Sequence, residues 1–415
     1  MRYLKILKKR NFFLLWFGQI ISQFGDRLTQ IALVGLVSAA SKSSAQLAVV
    51  MSMAIVPVFI ISPISGVYID RWDKRKTLYL CDSIRVILML LIPFVFLKSH
   101  SLIPIYALIF LSFSAGRFFI PAKMAFLPRV VEKKDIFMAN SLISNTATIA
   151  AVLGIGLGGV LVERYGLVVG FNLDAATFFI SGMSIFLISV QGKGEFLAKD
   201  ILDIGKNVVA SVKKSFLYEL KEGIGYIFKS KETKYAFKIF FFLFSYIGAL
   251  YVVFIRFIQN TLSSVTKDVG FAAVGLGAGI FLGTLAYGRI AHKFSIKKVI
   301  NWSVLLSSFF IVFFAVFLRG YPYTICLILL AFGLGIMISP AFVGVNALIH
   351  RESDENLLGR IFSGLEFTSH LGFLVAMLCA SILADIMTPF TIVVSVGIIG
   401  SFFSLCFIFC DDYSS

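Results

Sequence analysis

Apolar residues in this chain come in long unbroken blocks rather than alternating with polar ones. From Leu47 to Ile69 there is no charged side chain at all. A helix needs about 20 apolar residues to cross roughly 30 Å of hydrocarbon, and blocks of that length recur at 12–37, 45–69, 77–97, 102–126, 140–162, 168–190, 236–258, 269–291, 299–318, 322–346, 360–384 and 388–410. The pattern predicts an all-α polytopic membrane protein of twelve transmembrane helices. The longest polar segment, 191–235, splits them six and six, and its LYELKEGIGYIFKSKET stretch has the spacing of an amphipathic helix lying on a membrane surface. The expected organisation is therefore an N-terminal six-helix bundle over 1–190, a linker over 191–235 and a C-terminal six-helix bundle over 236–415.

Composition agrees: 59% of residues are hydrophobic and 14% charged, where soluble domains sit near one half and one quarter. The net charge of +16 would point to nucleic acid if the cations lined polar faces, but they cluster between spans. Of the 38 Lys and Arg, 28 fall on alternate segments starting with the N-terminal MRYLKILKKR and 6 on the others. That bias predicts both termini, and the linker, in the cytoplasm. The first apolar run is too long for a signal peptide and no small-residue cleavage site follows, so it is expected to stay as a helix. The five cysteines lie inside apolar spans without CxxC spacing and the four histidines do not cluster. Neither metal nor cofactor is expected.

The halves also repeat. At an offset of 222, DRWDKRK (70–76) falls on HKFSIKK (292–298) and Gly66 on Gly288. At 219, Pro121-Ala122 falls on Pro340-Ala341 and Asp135 on Asp354. Duplicated bundles are how many transporters build two alternating states around one central site.

The stretch GVYIDRWDKRK (66–76) resembles the loop signature of the major facilitator superfamily, Gly-x-x-x-Asp-Arg-x-x-Arg-Arg, with Gly66, Asp70, Arg71, Arg75 and Lys76 matching in type. The resemblance implies two pseudo-symmetric six-helix bundles that rock around a substrate site. It also implies a gate: Gly66 lets two helices approach, and Asp70 with Arg71 latches the cytoplasmic side in the outward-facing state. His292 stands where the second copy would carry its acid, so a symmetric latch is expected to be weak. In span five, LGIGLGGVLVERYG resembles the glycine-rich antiporter motif, with Gly154, Gly158 and Gly159 in place and Ile155 where that motif has proline. The same glycines fit close helix packing through small residues. SQFGDRLTQIAL and PAKMAFLPRVVEKKDIFMANSL resemble the branch of macrolide, multidrug and siderophore exporters, and also the bacterial lysophospholipid transporter family. In the latter, the span-one acid and the lysine of PAK handle the lipid headgroup, roles that would fall on Asp26 and Lys123.

Polar faces on apolar helices mark the candidate site. Gln19, Gln23, Asp26 and Gln30 recur at steps of four, three and four along span one, one face of a helix. Asp26 lies about 14 residues in, or about 21 Å at 1.5 Å per residue. A charge at that depth costs about 2.5–3.5 kcal/mol on insertion scales, so function is the default expectation. Arg27, Arg85, Arg117 and Lys123 are the intramembrane cations. Of these, Arg117 and Lys123, either side of a Pro121 expected to disturb span four, form a basic stripe suited to an anionic or zwitterionic solute. In span eleven, Ser363, Glu366 and His370 share a face, with Glu366 suited to carry a proton and His370 to share the relay. Ser141, Asn145 and Thr148 of span five are candidate lining. The substrate-binding set is thus Gln19, Gln23, Asp26, Gln30, Arg117, Lys123, Asn145 and Glu366; the proton-coupling set is Asp26, Glu366 and His370.

These readings predict a secondary transporter working by alternating access, a proton-coupled exporter of amphipathic small molecules. Inward flipping of lysophospholipids is the alternative, and a non-transporting membrane sensor or scaffold the distant one. The expected partners are the small-molecule or lipid substrate, protons and membrane lipids, with no nucleic acid and a monomeric protein. No cluster of nucleophile, base and orienting group is visible, so no enzyme is expected.

Overall fold

The computed structural model describes residues 2–99, 101–189, 231–290, 294–352 and 358–412. Every regular element among them is helical. A short α1 (Arg2–Leu7) leads into α2 (Arg10–Ala40), α3 (Ser44–Ile60), α4 (Ser62–Arg71), α5 (Lys74–Ser99), α6 (Ile103–Val130), α7 (Ile136–Tyr165) and α8 (Leu167–Phe186). After the linker come α9 (Lys231–Leu262), α10 (Lys267–Ile290), α11 (Ile296–Gly320), α12 (Thr324–Glu352), α13 (Leu358–Ile386) and α14 (Pro389–Asp412). The surface helix expected over 191–235 falls outside the described residues up to 230; the last five positions open α9.

The ten helices from α5 to α14 are long and apolar enough to cross a bilayer. α3, at 17 residues, is shorter, and α2, at 31, is long enough but diluted by its polar stripe. Span two is not one helix: α3 ends at Ile60 and α4 starts at Ser62, with a proline in its first turn, where the missing N–H has no intrahelical partner to lose. By contrast α6 continues through Pro121 and Pro128 without a break, so the disturbance expected at Pro121 does not interrupt the helix.

The chain clusters into two compact units, residues 1–42 with 50–217, and residues 43–49 with 218–415. In the first, α2 packs on α7 and α8, α5 on α6 and α8, and α4 on α6. In the second, α9 packs on α13 and α14, α11 on α12 and α14, and α10 on α12. The pairings match partner for partner, as a duplicated bundle requires. Residues 43–49 belong to the second unit, where Asp385 accepts hydrogen bonds from Ser43 Oγ and the Ser44 amide, each at 2.5 Å, and from the Ala45 amide at 3.2 Å. That carboxylate caps the first turn of α3 from another helix.

α5 shows why these sequences bundle in lipid. Ile84, Ile87, Leu91 and Phe94 are exposed along one stripe, while Asp82, Arg85, Met89 and Ile92 are buried along the other. The polarity of a soluble helix is inverted, with the apolar stripe outward.

Hydrocarbon gives apolar faces no reason to meet, so close packing must hold the bundle. Glycine supplies it. A Cβ on Gly154 would stand 2.6 Å from the Phe24 carbonyl and 2.9 Å from Arg27 Cβ, and one on Gly158 would stand 2.9 Å from Leu28 Cδ2. The expectation that these glycines serve helix packing therefore holds, and α2 and α7 meet backbone to backbone. In the second unit Gly248 meets the Phe373 backbone in the same way, joining α9 to α13.

Candidate functional site

The polar face of α2 divides in two. Gln19, Ser22, Gly25 and Thr29 are fully buried, whereas Gln23, Asp26 and Gln30 are half-buried. Both side-chain amide atoms of Gln19 lack a hydrogen-bond partner among the described residues. Gln30 accepts from Arg27 Nη1 at 2.8 Å. Gly25 has no room for a side chain because Asp174 and Thr177 of α8 occupy the place of its Cβ.

Around this contact three helices bring together ionisable groups. Arg85 of α5 is ion-paired with Asp26, its side chain 9% exposed and that of Asp26 22%. The Arg85 guanidinium also lies 3.7 Å from the Phe178 ring centroid on α8, a cation–π contact that fixes its plane. Asp174, one turn along α8, is 1% exposed and accepts a 2.5 Å bond from Thr29 Oγ1 and a 3.1 Å bond from Thr177 Oγ1. Asp82, one turn along α5 from Arg85, is wholly buried. Ser181 stands beside it, yet neither Asp82 oxygen has a hydrogen bond of good geometry. Gly182 makes room there, since a Cβ on it would stand 3.3 Å from Asp82 Cβ.

Arg85 and Asp26 both feel Asp82 and Asp174 electrostatically, so one guanidinium serves three carboxyls. α6 closes the side: a Cβ on Gly116 would lie 4.0 Å from Arg85 Cζ, and half-buried Lys123 lies within electrostatic range of Asp26. The second unit carries no copy. At the offset of 222, Asp26, Asp82, Arg85 and Asp174 fall on Gly248, Val304, Ser307 and Val396.

The remaining expected residues lie elsewhere. Arg117 is half-buried on α6 and Asn145 exposed on α7; the next residue, Thr146, accepts a 3.2 Å bond from Trp16 Nε1. Glu366 is exposed on α13 rather than enclosed by its own bundle. His370 Nδ1 sits 2.8 Å from the Glu366 backbone carbonyl. Ser363 and His292 fall among side chains outside the description, as does the Asp70 side chain.

In the loop motif, Arg71 is exposed. Arg75 donates to the carbonyls of Ile185, at 3.4 Å, and Phe186, completing the C-terminus of α8, where a cation also meets the negative end of the helix dipole. A Cβ on Gly66 would meet nothing within 4 Å among the described residues. Asp73 caps α5 through a 2.8 Å bond from the Lys76 amide.

Sequence reasoning missed Asp82 and Asp174 and left Arg85 without a role. The signal was present: Asp82 and Arg85 stand three apart in an apolar span, one turn of helix, and Asp174 is the lone acid of the sixth span.

The family model described as transmembrane secretion effector matches residues 3–351. YkuC of Bacillus subtilis, a major-facilitator-type transporter, is 27% identical over 87% of this chain and 82% of its own. Macrolide efflux protein A of Streptococcus pyogenes is 18% identical over 91% and 90%. Among solved structures, the nucleoside transporter NupG superposes with a TM-score of 0.70 at 14% identity, covering 96% of this chain and 98% of that one. The match to the family model over most of the chain, on a duplicated bundle fold, makes this protein a transporter of the transmembrane secretion effector family within the major facilitator superfamily.

Proposed function

We propose that the protein is a proton-coupled exporter of amphipathic small molecules, working by alternating access from a bacterial cytoplasmic membrane with both termini inside. The Asp26–Arg85 ion pair is the observation that carries this reading. Its acid keeps partial exposure while its base is enclosed, so one partner is open to a proton or a cationic solute and the other reports the change to the bundle interior. Protonating Asp26 weakens its hold on Arg85, and a cationic or polar solute competes for the same carboxylate. The efflux relatives support the exporter direction: one is named macrolide efflux protein A, and another, 29% identical over 45% of this chain and 46% of its own, a putative bacilysin exporter of Bacillus subtilis. Glu366, exposed on α13, is the candidate second carboxylate, with Gln19, Gln23, Gln30, Arg117 and Asn145 as further solute contacts.

Lysophospholipid flipping is the second reading, favoured by the placement of Lys123 within reach of Asp26, an acid and a cation suited to a zwitterionic headgroup. Proteoliposomes with an imposed pH gradient separate the two. Gradient-driven accumulation of a macrolide or a cationic dye, lost in Asp26→Asn, supports the exporter. Uptake of labelled lysophosphatidylethanolamine that disappears in Lys123→Ala, with no dye or macrolide movement, overturns it.

A further inference from the structure

Three acids and one guanidinium, enclosed where α2, α5 and α8 meet, cannot all be ionised cheaply. With Asp26, Asp82 and Asp174 all charged, Arg85 and the more distant Lys123 would still leave the group with net negative charge inside the membrane. Isolated ions there cost several kcal/mol even after relaxation. Asp26 is the member with an ion-pair contact and partial exposure. Asp82 and Asp174 have neither a cation in contact nor access to solvent.

The cluster is also ordered along the bundle. On α5, Asp82 precedes Arg85 by one turn, and Met89, one turn further, accepts a 3.3 Å bond from Thr29. On α8, running the other way, Ser181 lies beside Asp82, Phe178 beside Arg85, and Asp174 beside Thr29. Asp82, the Asp26–Arg85 pair and Asp174 thus form successive rungs, separated by about one helical turn, or about 5 Å. Four orphaned polar atoms sit on these rungs, both oxygens of Asp82, Ser181 Oγ and Arg85 Nε, besides those of Gln19, Arg27 and Ser112 elsewhere in the unit. Unsatisfied buried groups of this kind need a proton or an internal water to be tolerable.

α2 contributes Asp26 and Thr29, α5 contributes Arg85 and Cys81, and α6 contributes Lys123 through Asp26. α7 has Glu163, Arg164 and Tyr165 as its ionisable side chains, all exposed at its far end.

We propose that Asp82 and Asp174 are proton-holding sites enclosed in the N-terminal bundle, exchanging a proton through the Asp26–Arg85 pair during the transport cycle. The inference rests on the proton-coupled reading above and places the proton inside one bundle rather than on the solute-facing carboxylates alone. When Asp82 or Asp174 passes its proton to Asp26, Arg85 leaves the neutralised Asp26 and pairs with the newly ionised acid. Charge in the cluster is then conserved while the proton moves one rung.

The test uses the purified full-length protein. Infrared spectroscopy at neutral pH reads the carbonyl stretch of protonated carboxyl groups, which ionised carboxylates lack, and deuterium exchange separates enclosed groups from exposed ones. We expect an exchange-resistant band that loses intensity in Asp82→Asn or Asp174→Asn. In proteoliposomes the same variants lose gradient-driven accumulation of a cationic dye such as ethidium by about tenfold or more, and Ile92→Val and Ile185→Val, which trim the buried core of α5 and α8 but leave the acids and their hydrogen-bond partners in place, check that loss of packing is not the cause. A wild-type protein indifferent to the pH gradient defeats the proton-coupled reading itself. A gradient-driven wild type whose Asn variants keep both the band and the coupling, or lose the band and stay coupled, overturns the proposal made here.

Discussion

Replacing Arg85 with leucine removes the one guanidinium from among three carboxyls while keeping most of its apolar volume. Two unit charges about 4 Å apart attract by about 4 kcal/mol at an effective dielectric near 20. The Asp26 side chain keeps 22% exposure, so solvent takes back part of that. Breaking a buried pair from one side costs roughly 3–5 kcal/mol, because the surviving charge stays unpaired. Arg85→Leu is therefore expected at the upper end of that range, with Asp82 and Asp174 also losing their nearby cation. Asp26→Asn is milder, since Arg85 then turns to the remaining acids. The double variant Asp26→Asn with Arg85→Leu is expected to recover about 1.5–3 kcal/mol relative to the sum of the singles. Equilibrium unfolding of the four proteins in one detergent, followed by far-ultraviolet circular dichroism, measures the cycle. Additivity within about 0.5 kcal/mol would show that Asp26 and Arg85 do not act as a pair.

Further outcomes follow from the packing and the loops. Gly154→Ala forces α2 and α7 apart, since backbone and a Cβ lie in the way, and should cost about 1–3 kcal/mol; Gly66→Ala, with open space around it, should leave thermal stability unchanged, and equal losses in both would refute the packing argument. Asp73→Ala removes the cap of α5 and should lower stability by about 1 kcal/mol, with Asp73→Asn recovering most of it, as read by thermal unfolding. Glu132 is held down to about 2, first by the hydrogen bond from Lys134 and then by that from Lys9. A depressed folded value means that this contact stabilises the turn above the unfolded carboxylate value of about 4.3 and fades as pH falls toward the folded one. Lys9→Ala should accordingly leave the pH profile of transport between about pH 5 and 8 in place; a shifted midpoint would tie the turn to coupling.

Sequence carried the scaffold well because bilayer thickness sets helix length and polar stripes set helix faces. The apolar blocks and the glycines of α7 were legible for that reason. The break at Ile61 was not, because Pro57 lies inside α3 without ending it and nothing marks Pro63 as different until its place in α4 is known. Asp82 and Asp174 were harder for a different cause. Asp174 looks solitary in its own span, and the arginine that gives it a meaning belongs to α5, which meets α8 only after nearly a hundred further residues have been made, while Asp82, one turn from that arginine, reads as its local partner until Asp26 is seen to take it. At Gly66 the close approach foretold by the motif is not made among the described residues.

The dilute polarity of α2 has a consequence for biosynthesis. Its stripe of Gln19, Gln23, Asp26, Arg27 and Gln30 must enter the bilayer first, when neither Arg85 nor Thr177 has been synthesised. Charged residues at mid-span each oppose insertion by about 2.5–3.5 kcal/mol, so α2 is held only weakly in lipid until α5 arrives with its arginine and α8 closes over Gly25. The first half of the chain thus assembles as a committed unit only once residue 186 has left the ribosome, and a truncation between α5 and α8 strands a helix that the membrane alone does not retain.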